Sequence, residues 1–299
     1  MYSRRACGIL EGFLLLANIL SYGPPLILVV GMLGVGMSIT RRSADRIARR
    51  PDRLAIVTVL QFISLPLVGV ISVAVVQSPE PVAMAILLIS ICPGGGISNL
   101  YVLFAGANVT LSVAMTLGSL VLASVTIPLV IATMTSLGIE TPVSETSVLE
   151  LSLRLLVVIV LPILAGMLVR RFMPNQARMW QRRLRRMSLV MIFTILALVL
   201  WIERAAVASA ISAIIPAVAI FLALSLAIGS LVGRLFYSDA ADRFAVTVEF
   251  GVRNLAVGTF LAVSLGNDLS FVGPAAIYLV IEAITILWLG SRYRVVVRG

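Results

Sequence analysis

Long apolar runs alternate along the chain with short polar or arginine-bearing stretches. Runs able to cross roughly 30 Å of hydrocarbon as helices fall at about 8–22, 23–40, 54–77, 81–105 and 109–137. A second set falls at about 147–170, 187–202, 208–233, 243–265 and 271–291. The pattern predicts an all-α membrane protein of ten transmembrane helices, five in each half. Only Tyr22, Gly23, Pro24 and Pro25 separate the first two runs, which hydropathy alone would equally read as one kinked span. Pro66, Pro128 and Pro162 lie inside runs and predict kinks.

Two runs are interrupted more severely. Within Cys92–Thr116, Pro93, Gly94, Gly95 and Gly96 precede polar Ser98 and Asn99. Proline removes a backbone donor and each glycine costs about 1 kcal/mol in a helix, so the helix breaks here. The second interruption is EFGVRNL at Glu249–Leu255, where GVRNL repeats GISNL: Gly251 answers Gly96, Asn254 answers Asn99 and Leu255 answers Leu100. Freed backbone groups in hydrocarbon are tolerated only against protein or a water-filled cavity. Such breaks in corresponding positions of two halves therefore point to an ion or solute site.

Charge decides the number and direction of the spans. With ten spans and a cytoplasmic N-terminus, the inside collects Arg4, Arg5, the arginines of 41–53 and those of 170–187, then Arg234, Arg243, Arg292, Arg294 and Arg298. The opposite loops carry Glu80, Glu140, Glu145, Glu203 and Asp268, with Arg204 as their clear basic residue. That asymmetry is what the positive-inside rule requires, and it predicts both termini in the cytoplasm. An odd number of spans per half makes the repeat inverted, which brings the Asn99 and Asn254 regions together near the midplane. The N-terminal MYSRRACGILEGFLLLANIL has a signal peptide's basic start and apolar middle without a convincing cleavage site, and reads as a retained first helix.

Composition narrows the function classes. Hydrophobic residues make up 60% and charged residues 12% of the 299-residue chain, outside the range of soluble domains. The net charge of +10 resides in arginine patches between apolar runs, so it reads as cytoplasmic retention and contact with membrane lipid, not nucleic-acid binding. The 170–187 stretch is expected to be a solvated cytoplasmic loop. Without histidine, and with Cys7 and Cys92 as the only cysteines, the chain has neither a zinc site nor a disulfide framework. An intramembrane enzyme would also need paired aspartates or a nucleophile with its base, which are missing. Trp201, Trp288, Tyr22 and Tyr278 read as interface belts or packing.

Glu249 is the first candidate for chemistry, because a carboxylate within an apolar span is costly unless it is functional or paired. Its simple partner would be Arg253, four residues on and on the same helix face. Ser98, Asn99, Ser112 and Thr116 supply side-chain oxygens suited to a hard cation, and Ser112 and Thr116 stack on one helix face. Taken singly, each hydroxyl would equally bond back to a helix carbonyl. Glu282, midway along the last run, is a second intramembrane acid for which Arg253, a proton or a watery vestibule would serve as partner.

These motifs, CPGGGISN with ANVTLSVAMT, EFGVRN, VLQFISLPL and GVGMSIT, resemble the bile acid:sodium symporters, a group that includes bacterial transporters of other organic anions. The resemblance covers nearly the whole chain as a single transporter domain. It implies a panel domain at about 8–40 and 147–202, and a core domain at about 54–137 and 208–291 in which the two broken helices cross. It maps a first sodium site onto Ser98, Asn99, Ser112, Thr116 and Glu249. A second maps onto Gln61, Glu249, the carbonyls of Phe250 and Val252, and a position commonly Gln that is Arg253 here. A guanidinium cannot ligate a cation, so Arg253 either takes the place of the second ion or pairs with an anionic substrate. Asn99, Arg253 and Asn254 are the candidate substrate contacts. The expectation is sodium-coupled import of an organic anion across the cell's inner membrane by alternating access, with one sodium. The rivals are a proton-coupled or sodium-independent transporter, in which Glu249 or Glu282 titrates, and a membrane ligand sensor that transports nothing.

Overall fold

The computed structural model describes residues 22–39, 51–136, 147–265 and 270–298. The first expected span at 8–22, the arginines at 4–5 and 41–50, and the loop residues Glu140, Glu145 and Asp268 lie outside the described residues. The described chain is helical: α1 Tyr22–Ser38, α2 Pro51–Val76, α3 Glu80–Ile91, α4 Ser98–Ala105 and α5 Val109–Ser136. There follow α6 Val148–Leu155, α7 Leu161–Phe172, α8 Pro174–Ile202, α9 Arg204–Phe236, α10 Ala240–Gly251, α11 Leu255–Thr259 and α12 Val272–Arg298. Among the described residues, six helices are long and apolar enough to cross a membrane, with α6 and α7 counting as one through a π-turn at Leu156–Val160. That turn lies just before Pro162, whose ring and missing N–H disrupt the helical ladder at this level.

The two expected breaks are present. Residues 92–97 separate α3 from α4, and 252–254 separate α10 from α11. The arginine-rich stretch departs from expectation, because it is largely helix: Arg170 and Arg171 lie in the last turn of α7, and the residues from Pro174 on form the first turns of α8. Hydropathy locates only the part of a helix that sits in hydrocarbon. Arg, Gln, Leu, Met and Ala are strong helix formers, so the helix continues past it.

The burial pattern inverts that of a soluble protein. Ile63, Leu67, Leu164, Leu231 and Ile284 are exposed on the outside, where lipid would cover them, while Ser98, Ser112, Thr116, Glu249, Arg253 and Glu282 are buried. Helix α9 packs against α2, α10 and α12, and α5 packs against α4 and α10. At the other side of the molecule α1 lies against α7 and α8. There a Cβ on Gly166 would stand 2.3 Å from the carbonyl oxygen of Leu33, so only glycine permits the approach. Tyr22, Trp201 and Trp288 are exposed, as interface residues would be. Tyr278 differs: it is fully buried, with its ring 5.8 Å from that of Phe221.

Candidate functional site

The two breaks lie against each other. Cys92 turns the chain extended after α3, and Val252 does the same after α10. The released segments then pair, with the N–H of Asn254 donating to the carbonyl of Pro93 at 2.9 Å and Gly94 bridging Arg253 in antiparallel fashion. Each break thus satisfies backbone groups the other has freed, which is the condition for irregular backbone inside a membrane. Asn254 caps α11, its side-chain oxygen accepting from the N–H of Val257.

Glu249 projects from the last turn of α10 into this crossing, fully buried. Its Oε1 has three hydroxyls around it: Ser98 Oγ at 2.5 Å, Ser112 Oγ at 2.7 Å and Thr116 Oγ1 at 2.8 Å. Ser98 opens α4, while Ser112 and Thr116 come from successive turns of α5, so three helices converge on one oxygen. Oε2 has no hydrogen-bond partner. It faces the break itself, where a Cβ on Gly94 would stand 2.5 Å away, so glycine here makes the space that the carboxylate uses. Gln61 donates its Nε2 to the carbonyl of Glu249 at 2.7 Å, leaving its own Oε1 buried and without a partner. Hydroxyls accept as well as donate, so the same side chains can turn lone pairs toward a cation. Carboxylate, hydroxyl and amide oxygens, two of them orphaned and buried, suit a small hard ion.

Arg253 is not paired with the Glu249 carboxylate. Its Nη1 donates to the carbonyl of Cys92 at 3.0 Å and its Nη2 to the backbone carbonyl of Glu249, while Nε has no partner. The guanidinium therefore grips the C-terminal ends of two half-helices, α3 and α10, where helix dipoles concentrate negative potential. Glu282, on α12, is fully buried beside Tyr101 and the backbone of Arg253. Among the described residues, neither of its oxygens makes a hydrogen bond, and it forms no salt bridge with Arg253. Phe250 and Val252 are buried at the end of α10.

Asn99 makes no hydrogen bond to the hydroxyl cluster among the described residues. With Arg253 and Asn254 it lines a cavity of about 280 Å³ between the crossing and helices α1 and α8. Its Oδ1 is buried without a partner, and its Nδ2 reaches only the carbonyl of Gly96 at 3.5 Å. The cavity lining includes none of Ser98, Ser112, Thr116 and Glu249, so the carboxylate–hydroxyl cluster and the cavity are distinct features of the crossing.

Sequence reasoning did not find five contributors. Ser119 accepts from the N–H of Gly94 at 3.0 Å and extends the Ser112–Thr116 stripe by one turn, a spacing that was there to be read. Tyr278 donates its hydroxyl to the carbonyl of Gly251 at 2.5 Å, tying α12 to the end of α10. Gln181, Arg185 and Ser188 line the cavity from α8, at intervals of four and three residues that matter only once the stretch is known to be helix.

An all-helical membrane chain with two interrupted helices meeting over a buried carboxylate has the build of a secondary transporter. The family model described as the Sodium Bile acid symporter family matches residues 25–210, and the chain belongs to that family. An uncharacterized sodium-dependent transporter of Bacillus subtilis (strain 168), YocS, is 29% identical over 83% of this chain and 75% of its own length. The probable sodium/metabolite cotransporter BASS1 of Arabidopsis thaliana chloroplasts is 26% identical over 86% of this chain, which spans 63% of that relative. The sodium/bile acid cotransporter 4 of Mus musculus is 33% identical over 40% of this chain and 27% of its own length.

Proposed function

We propose that this chain is a symporter that moves an organic anion, with sodium, across a cell's inner membrane by alternating access. The observation that carries the reading is the Glu249 carboxylate, fully buried, ringed by Ser98, Ser112 and Thr116 on one oxygen and free on the other. Sodium taken up there would be held by Glu249 and these hydroxyls. The relatives, named as a sodium-dependent transporter and as sodium/metabolite and sodium/bile acid cotransporters, support the same choice of ion and of an organic cargo. Ten spans in two inverted halves, with both termini inside, remain the reading of the whole chain. In it α1 with α6–α8 forms the panel, and the other helices form the core.

Formal charge favours one ion per cycle. Glu249, Arg253 and Glu282 are the buried charged groups of the crossing and sum to −1, which one monovalent cation neutralises. Arg253 on the carbonyls of Cys92 and Glu249 stands where a second cation would find oxygen ligands. Cation binding ties α4, α5 and α10 together, and the cavity is formed by the adjacent segments of the same crossing. Ion and anion therefore bias one conformational equilibrium, which is what coupling requires.

A second reading keeps transport and replaces sodium by a proton. Its support is Glu282, whose buried oxygens have no hydrogen-bond partner. Uptake of labelled carboxylates into proteoliposomes, with and without an inward sodium gradient, separates the two. Sodium-stimulated uptake that disappears in Glu249→Ala supports the sodium site. Sodium-independent uptake with a steep pH response overturns it in favour of the proton.

A further inference from the structure

The cavity is polar at one end and apolar at the other. Helices α1 and α8 run antiparallel along it, as shown by Gly23 beside Ile195, Gly31 beside Ser188 and Gly34 beside Leu184 and Arg185. The lining positions of α8 recur at helical spacing from Gln181 through Arg185 and Ser188 to Ile192, and those of α1 run from Ile27 to Ser38. At 1.5 Å per residue each stripe extends roughly 16 Å. One end of the stripe presents Ser38, Gln181 and Arg185, and the other presents Ile27, Leu28 and Ile192. Among the described residues the lining contains two charged residues, Arg185 and Arg253, and no acid.

The two arginines differ in availability. The Nη atoms of Arg253 are already committed to backbone carbonyls. Arg185 is half-buried, and among the described residues its guanidinium makes neither a hydrogen bond nor an ion pair. A guanidinium half withdrawn from water without a partner is a standing donor to a planar anion, which it binds with two parallel N–H···O bonds. Gln181, one turn earlier on the same face, can add an amide donor.

We propose that Arg185, supported by Gln181, is the anion-selecting pole of this cavity. The cargo would then be an amphipathic monoanion, its carboxylate or sulfonate on Arg185 and its apolar body along Leu28, Met32, Leu189 and Ile192. This rests on the transport reading for its purpose but not for its test. A phospholipid headgroup carries the same chemistry, and the experiment distinguishes the two sources.

Binding of octanoate, 4-phenylbutyrate and cholate, each against its uncharged amide, is measured calorimetrically on the full chain in phosphatidylcholine nanodiscs. Wild type is expected to prefer at least one carboxylate over its amide by about tenfold or more, the range of a charge-assisted pair against a neutral one. Arg185→Gln should bring that preference below about threefold while leaving amide affinity unchanged, which also reports an intact cavity. Arg185→Lys should keep part of it. An unchanged preference in Arg185→Gln, or no carboxylate binding to wild type, overturns the proposal. Displacement of the carboxylate by phosphatidylglycerol added to the nanodiscs overturns it in favour of a lipid headgroup. Because no ion gradient enters, failure here leaves the Glu249 sodium reading to stand or fall on uptake.

Discussion

Replacing Arg253 with glutamine should convert a one-cation crossing into a two-cation crossing. The substitution removes charge-assisted hydrogen bonds to the carbonyls of Cys92 and Glu249, each worth about 1.5–3 kcal/mol in a typical site. Glutamine can restore one neutral bond, and the carbonyl of Glu249 keeps its bond from Gln61. Against the loss stands relief from burying a guanidinium, itself several kcal/mol. The two effects are of similar size, so the fold is expected to survive. Charge is not offset in the same way. Glu249 and Glu282 are then left with a formal −2, and a second uncompensated carboxylate costs several kcal/mol until a cation arrives. Initial uptake of a carboxylate cargo, titrated with sodium at pH 8 where protons are scarce, should show a Hill slope near 1 in wild type and approaching 2 in Arg253→Gln. Unchanged slope and unchanged half-saturation in a well-folded variant would refute the argument that Arg253 stands in for an ion.

Other consequences follow from the same contacts. Gly94→Ala would set a methyl 2.5 Å from Glu249 Oε2, so sodium stimulation of uptake should fall by tenfold or more, with about 1–3 kcal/mol lost by overpacking in a denaturation assay. Tyr278→Phe leaves the buried carbonyl of Gly251 without its donor and should cost about 1–3 kcal/mol, read as a lowered melting temperature at saturating sodium. Thr116→Val keeps the shape but removes one of the three hydroxyls on Oε1, and should weaken half-saturation by sodium several-fold while cargo affinity at saturating sodium holds.

The breaks were legible because their cause is local: proline and glycine cannot sustain a helix, whatever surrounds them. Their meeting was legible only through the GISNL and GVRNL repeat, which implied that two distant segments share an environment. Glu249 with Ser98, Ser112 and Thr116 was also readable, since an acid in an apolar span demands polar company and the hydroxyls recur on one helix face. Asn99 was assigned by resemblance both to the sodium cluster and to the substrate contacts, and its side chain lines the cavity, since one residue along a helix from Ser98 turns a side chain by about 100°. The partners of Arg253 could not be read, because backbone carbonyls are anonymous in a sequence. Tyr278 escaped for the same reason. The α8 contribution of Gln181 and Arg185 was hidden by a hydropathy window that ends a helix where its charges begin.

Binding of radiolabelled sodium to the purified chain in nanodiscs, for wild type and Glu249→Gln, probes the buried carboxylate directly. Saturable binding of one sodium per chain, displaced by unlabelled sodium and lost in the variant, is expected. Saturable binding that persists in Glu249→Gln, or none in wild type, would contradict it.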